Sequence, residues 1–433
     1  ISYAVSGLLD ENMGDTCPQS IIDALPDYIA DEIREAYDEL YELKKAGQLF
    51  AQDDYIDVSR YIPVNAPVKA LCLHVAHDCN LRCKYCFAST GDFGQGRKIM
   101  PPDIAKKAID FVIARSGVRH NIEVDFFGGE PLMAWDTVTQ TVDYARSLEE
   151  KYNKKFRFTI TTNGLLLDED KRKYINENMD NCVLSLDGRR EVNDEFRKTV
   201  AGTGSYDTIV PKFKALVDER DPNLDYYARG TFTSHNLDFA EDVLSIADAG
   251  FDRLSVEPVT ADPGCGYDLT EDDLPKIEAE YDRLTDIMLE RKKEGKPFTF
   301  FHFMVDLDQG PCVVKRLRGC GAGYEYVAVT PDGDIYPCHQ FVGKDEFKQG
   351  SVLDQSFNMD IAQKFAGMNI YSRPKCQKCW AKFYCSGGCS AANYNMNHDM
   401  NDSYDLGCEM ERKRLECAIY LKAMDKICAN QSK

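Results

Sequence analysis

Between about residues 70 and 300 the chain alternates short apolar runs with amphipathic stretches, and few folds accommodate that rhythm. The apolar runs lie at 71–76, 122–127, 156–161, 182–186, 227–233 and 253–258, with helical periodicity near 103–115, 137–151, 168–179, 206–218 and 239–249. Six such strands build a parallel sheet curled into an α/β, TIM-like partial (β/α)6 barrel. The chemistry of such a barrel gathers at the C-terminal strand ends.

The flanks read differently. Residues 1–66 suggest a small separate unit: a short helix at 21–25, then one at 31–46 with Ile33, Ala36, Tyr37, Leu40 and Leu43 on one face. Leu49, Phe50, Tyr55, Ile56 and Val58 around the polar turn 52–54 predict a hairpin, and helices followed by a hairpin outline a winged helix. The barrel occupies 67–300, with a long helix at 273–293 near its end. Residues 301–433 are cysteine-rich, with one hairpin turning at 331–334 and a closing helix near 408–429.

Charge and cysteine usage narrow the class. The 433 residues carry a formal charge of -20, which opposes binding to a phosphate backbone and excludes nucleic acid as the expected partner. No apolar run reaches the roughly 18 residues of a membrane helix, so a cytoplasmic protein is expected. The chain opens on Ile1 rather than Met, which suggests an upstream portion. Seventeen cysteines, concentrated in two clusters of a large acidic chain, point to metal binding rather than to a disulfide scaffold.

Directly after the first barrel strand comes CNLRCKYC, placing Cys79, Cys83 and Cys86 in the spacing C-x3-C-x2-C. Three thiolates on one loop can hold three corners of a [4Fe–4S] cube and leave the fourth iron open. A zinc knuckle is the alternative; the nearby His74 and His77 belong to the strand and its end. The second strand ends in Gly128-Gly129-Glu130-Pro131, the third in Thr162-Asn163-Gly164 and the fourth in Ser185-Leu186-Asp187-Gly188, with Arg197 ten residues beyond Asp187.

The loop, with Tyr85 before its third cysteine, resembles the signature of the radical SAM superfamily, whose members cleave S-adenosylmethionine (SAM) to a 5′-deoxyadenosyl radical. The resemblance implies that Gly128, Gly129 and Glu130 hold the SAM amino group, that Ser185 and Arg197 bind its ribose and carboxylate, and that Asn163 joins them. Further on stand Cys320, Cys338, Cys376-x2-Cys379-x5-Cys385-x3-Cys389 and Cys408, an order that resembles the SPASM domain with two auxiliary [4Fe–4S] clusters. It implies an inner cluster on Cys320, Cys338 and Cys389 and an outer one on Cys376, Cys379, Cys385 and Cys408, three clusters in all. The fourth inner position is either Cys312 or open to a substrate thiol. Two structural zinc sites remain compatible with these spacings alone.

SPASM enzymes mostly modify peptides. In anaerobic sulfatase-maturating enzymes an Asp follows the cysteine matching Cys338 and serves as base; here His339 stands there, which argues against that reaction. Residues 1–60 hold 14 Asp and Glu against 4 Lys and Arg, and the unit resembles the leader-recognition element of enzymes that mature ribosomally made peptides. The whole arrangement is similar to the thioether-forming maturases of SCIFF, a Cys-rich precursor peptide. Expected partners are such a peptide, bound through its leader, and an electron donor such as flavodoxin or ferredoxin. The other readings are a formylglycine-forming peptide oxidase and a metal-stapled peptide-binding protein without catalysis. Cys265, after the last barrel strand, stands near the expected mouth.

Overall fold

The computed structural model describes residues 1–57, 66–307 and 313–431. The chain divides into two compact units, residues 1–61 and 62–433. The larger is built on one sheet of twelve strands. In chain order these are β1 (Ala70–His77), β2 (Lys98–Ile99), β3 (Asn121–Gly128), β4 (Lys155–Thr162), β5 (Asn181–Ser185), β6 (Asp225–Phe232), β7 (Arg253–Pro258), β8 (Thr299–Phe300), β9 (Tyr326–Val329), β10 (Asp334–Tyr336), β11 (Gly350–Ser351) and β12 (Ser356–Phe357).

Strands β1, β3, β4, β5, β6 and β7 pair in that order and all in parallel, which is the partial barrel expected from the sequence. Period-two alternation explains the packing: Ile122, Val124 and Phe126 of β3 and Phe156, Phe158 and Ile160 of β4 are fully buried, while Glu123 and Arg157 between them are exposed. Phe126 and Phe158 stack with centroids 5.7 Å apart, and truncating either to Ala would cost about 3–5 kcal/mol. Helices cover this face. In Pro102–Arg115, Pro102 sits in the first turn and Ala105, Ala108, Ile109 and Val112 form the buried stripe. Thr270 and Asp273 close a capping box just ahead of the long helix Leu274–Lys293.

The sheet does not stop where the barrel was expected to end. β8 adds in parallel beside β7, and β9, from the cysteine-rich region, adds in parallel beside β1 in the register Ala70↔Tyr326 to Leu73↔Val329. β1 is therefore flanked on both edges and all eight of its residues are buried. The hairpin β9–β10 turns at Thr330–Gly333 as expected, and β11 and β12 continue the sheet antiparallel. The closing helix Asp405–Gln431 lies along Leu274–Lys293, where Lys413 pairs with Asp282 at 2.6 Å and Lys292 with Asp425 at 2.6 Å.

The smaller unit has helices Ser2–Ser6, Gln19–Ala24 and Ala30–Lys45 around a core of Val5, Ile21, Ile33, Tyr37 and Leu40. The Tyr37 hydroxyl donates to the Gly14 carbonyl at 2.8 Å. The hairpin expected after Gly47 does not form among the described residues: residues 55–57 are helical, and Val58 lies outside the described set. Asp53 Oδ1 accepts the Tyr55 N–H at 3.3 Å, so the polar turn closes locally on itself, and a lone two-stranded ribbon has no third strand to stabilise it. Among the described residues no helix is long and apolar enough to cross a membrane.

Candidate radical SAM and iron–sulfur sites

The loop after β1 is held at both sides. Asp78 Oδ1 accepts the Cys79 N–H at 2.8 Å, and Arg82 and Lys84 donate their N–H groups to the carbonyls of Lys198 and Phe196 at 2.7 and 3.0 Å. The loop is thereby zipped to the segment that carries Arg197. On the other side the backbone of β3 runs directly beneath it: Gly129 N donates to Ala76 O and Glu130 N to Asp78 O. A Cβ on Gly129 would stand 2.2 Å from the Asp78 carbonyl oxygen, so only glycine permits this approach.

Cys79, Cys83 and Cys86 line one cavity of about 300 Å³ at the strand ends, together with Gly129, Asn163, Ser185 and Arg197. Among the described residues no three His, Cys, Asp or Glu side chains lie close enough to grip a single metal ion; these thiols stand around a space instead. Burial pushes both the Cys79 and the Cys83 thiol up to about 12, with Arg197 pulling Cys83 back toward the thiolate. A cationic iron centre reverses that cost by binding the thiolates. Two N–H groups already point at the Cys79 sulfur, Leu81 N at 3.4 Å and Asn163 Nδ2 at 3.6 Å, the kind of contact that tunes an iron–sulfur cluster. The residues thus fit a [4Fe–4S] cluster with three protein ligands.

The expected SAM residues converge on the same cavity, though not all with free polar atoms. Glu130 is 1% exposed; its Oε1 accepts from Leu132 N and Thr162 Oγ1, and its Oε2 from Asn163 N at 2.8 Å. Its carboxylate braces the ends of β3 and β4, and burial raises it to about 7 against those three donors. Tyr85 does not face the cavity alone: its hydroxyl donates to Asp187 Oδ2 at 2.5 Å. Arg197 Nε stands 3.0 Å from Asp187 Oδ1 as an ion pair without hydrogen-bond alignment, and its guanidinium lies 5.6 Å from the Tyr85 ring centroid.

The cysteine-rich region supplies two more thiol sites. Cys376, Cys379, Cys385 and Cys408 line a cavity of about 210 Å³ with Glu411 and Arg412. Burial pushes Cys385 up to about 12 and Cys408 to about 11, so this site carries the same demand for a cation. Burial first, and then the nearby Cys389, raise the thiols of Cys320 and Cys338, which places these three cysteines together. Cys312 lies outside the described residues. His339 roofs the first cavity, packed against Phe127 and Phe87 with centroids 5.0 and 5.5 Å away. A second groove of about 540 Å³ shares Tyr85, Cys86, Thr260 and His339 with that cavity and contains Cys265.

Two charged groups escaped the sequence reading. Arg229 on β6 and Glu257 on β7 face the cavity and form a two-pronged ion pair, Nε to Oε1 at 3.0 Å and Nη2 to Oε2. Burial pushes the Glu257 carboxyl up, but Arg229 more than offsets it and holds the group at about 2. Behind them Arg414 Nη1 donates to His302 Nδ1 at 3.1 Å, and Arg414 Nη2 donates to Glu411 at 2.6 Å. The signal was present only as polar residues at inward positions of apolar strands: Arg229, Thr231, Ser255 and Glu257.

Comparison with known proteins matches these features. The model of the radical SAM superfamily matches residues 73–227, and that of the SPASM iron–sulfur cluster-binding domain matches residues 320–380. A cysteine-type anaerobic sulfatase-maturating enzyme of Clostridium novyi (strain NT) is 25% identical over 77% of this chain and 90% of its own. The structure of native anSMEcpe with bound AdoMet and Kp18Cys peptide shares the fold with TM-score 0.66 at 20% identity, over 83% of this chain and 99% of that one. Streptococcus suis SuiB bound to precursor peptide SuiA aligns with TM-score 0.56 at 18% identity, over 92% and 83% of the two chains. On this ground the chain carries a radical SAM domain, folded as a partial parallel barrel, followed by a SPASM iron–sulfur domain.

Proposed function

We propose that this chain is a peptide maturase that forms intramolecular thioethers in a ribosomally made, Cys-rich precursor peptide. The observation that carries the reading is the meeting of three loop thiols, the strand-end SAM residues and the His339–Gln340 segment that follows Cys338 around one cavity. A [4Fe–4S] cluster held by Cys79, Cys83 and Cys86 would supply the electron that splits SAM into methionine and a 5′-deoxyadenosyl radical, and clusters held at the other two thiol sites would accept the electron released as carbon and sulfur join. The peptide loses a hydrogen atom from carbon and a proton from a cysteine thiol.

The chain's own residues do the rest. Gly128, Gly129, Asn163, Ser185 and Arg197 hold SAM, with Arg197 kept in place by Asp187. Phe87, Phe127 and His339 form an aromatic roof that excludes water from a radical. The acidic helix Ala30–Lys45 of the smaller unit recognises the leader, and a flavodoxin or ferredoxin supplies electrons.

Anaerobic reaction with Cys-rich peptides encoded beside this protein tests the reading. Fragmentation mass spectrometry is expected to show loss of two hydrogens per crosslink; an unchanged peptide mass would overturn it. Similarity to sulfatase-maturating enzymes favours one second reading, formylglycine formation, for which the product is an aldehyde. His339 in place of Asp after Cys338 counts against it.

A further inference from the structure

The SAM-directed residues occupy one side of the cavity. The cysteine loop follows β1, Gly129 follows β3, Asn163 follows β4, Ser185 ends β5 and Arg197 lies between β5 and β6. The wall made by β6 and β7 is left over, and it faces the His339–Gln340 roof, with Thr260 just beyond β7 opening into the adjoining groove. A peptide entering from that groove meets the cavity at Thr260, next to this wall.

On it stands Arg229, with Glu257 opposite. The fork uses Nε and Nη2, and among the described residues Nη1 has no hydrogen-bond partner, on a side chain 45% open. Register places Arg229 level with Ser185 on β5 and Ser255 on β7, and Glu257 one layer higher beside Thr231. Glu257 therefore reaches back along the wall, fixes the guanidinium plane and leaves one N–H edge directed away from itself. Because Glu257 cancels the charge of Arg229, the pair offers a donor without net charge. Such a donor suits a neutral acceptor better than an anion, since a carboxylate entering would meet the Glu257 charge close by.

We propose that Arg229 is a specificity-determining residue that hydrogen-bonds a main-chain carbonyl of the substrate peptide beside the carbon to be activated, with Glu257 as its positioning residue. This rests on the peptide-maturase reading above. A main-chain contact fixes how far the chain enters the barrel whatever side chain it presents, and so sets which carbon comes next to the SAM site.

The test compares reconstituted wild type, R229Q and R229K for SAM affinity, deoxyadenosine formation without peptide, and peptide KM and kcat. In R229Q, SAM affinity and peptide-free deoxyadenosine formation are expected to stay within about twofold, while peptide KM rises about tenfold, as befits one lost charge-assisted hydrogen bond. Modified peptide per deoxyadenosine is expected to fall. R229K keeps the charge without the fork and is expected to fall between the two. A parallel loss of SAM affinity would overturn the proposal, as would an unchanged peptide KM. So would a wild-type KM that rises when one acidic peptide residue is replaced by its amide, if R229Q shows no such rise. Failure of the thioether reading is seen separately, in the wild-type product, and leaves the KM comparison intact.

Discussion

Tyr85 Oη donates to Asp187 Oδ2 at 2.5 Å, joining the cysteine loop to the end of β5 across 102 residues of sequence. Asp187 is fully buried and also receives the Thr231 N–H at 3.1 Å and the Arg197 ion pair. One carboxylate thus fixes the loop, the guanidinium and the next strand together. The proposed cluster and SAM subsites are positioned by the same group.

Replacing Tyr85 with Phe removes the hydroxyl and leaves one Asp187 oxygen buried without its donor. A charge-assisted hydrogen bond of this kind is worth about 1.5–3 kcal/mol, so SAM affinity or the rate of deoxyadenosine formation is expected to fall about tenfold or more. Iron content is expected to stay near wild type, because the three thiols remain. Equilibrium binding of SAM, single-turnover deoxyadenosine formation and iron assay measure these separately. Full activity in Y85F would show that the loop is held by its backbone zipper alone.

The thiol sites separate by what each removes. With Cys79, Cys83 and Cys86 changed to Ala, iron content is expected to fall by about a third and deoxyadenosine formation with dithionite and SAM to vanish. With Cys376, Cys379, Cys385 and Cys408 changed to Ala, iron is expected to fall by a similar share, SAM cleavage to persist and peptide crosslinking to be lost. Zinc rather than iron in anaerobically prepared wild type would contradict both expectations.

His302 provides a pH test away from the proposed ligands. Burial first, and then the neighbouring Arg414, lower it from 6.5 to about 3. Arg414 can only donate, so Nδ1 accepts and the ring proton sits on Nε2, which faces Ser255 Oγ at 3.3 Å. The folded protein keeps His302 neutral, whereas the unfolded chain protonates it below about pH 6.5. Its contribution is complete above that pH and is lost as pH falls from 6.5 toward 3. Denaturant unfolding of the apoprotein at pH 6.5 and 5.5 is expected to show H302Q losing about 1 kcal/mol less than wild type over that interval. Equal losses would show that His302 is as accessible to protons folded as unfolded.

Local periodicity made the barrel readable, because parallel strands and their covering helices are both specified within a few residues of themselves. The strand-end motifs were readable for a related reason: glycines such as Gly129 and thiols such as Cys83 have few other uses at a barrel mouth. The pairing of β9 with β1 was not, since Tyr326 meets Ala70 across more than half the chain and no local pattern encodes a partner that distant. Arg229 with Glu257 and Arg414 with His302 escaped for the same reason, each pair being joined only by tertiary packing. The expected hairpin failed differently: Leu49, Phe50, Tyr55 and Ile56 satisfy strand composition, but composition cannot supply a neighbouring strand.

The smaller unit carries a test that leaves the barrel untouched. On Ala30–Lys45 Ile33, Ala36, Tyr37 and Leu40 turn inward while Leu43, expected on the same face, is exposed, and Asp31, Glu35, Asp38 and Glu39 are exposed around one surface groove that Arg34 also lines. A leader bound there through Lys and Arg would gain up to about 1 kcal/mol per exposed pair, and less as salt rises. Reversing Glu35 and Asp38 to Lys in the full chain is therefore expected to raise KM for the leader-bearing precursor about tenfold at low ionic strength. The effect should shrink at high salt, while SAM cleavage and the KM of a leaderless peptide stay unchanged. Because both side chains are exposed, the helix itself should survive, which circular dichroism at the same ionic strengths checks. An unaltered precursor KM would remove the acidic helix from substrate recognition.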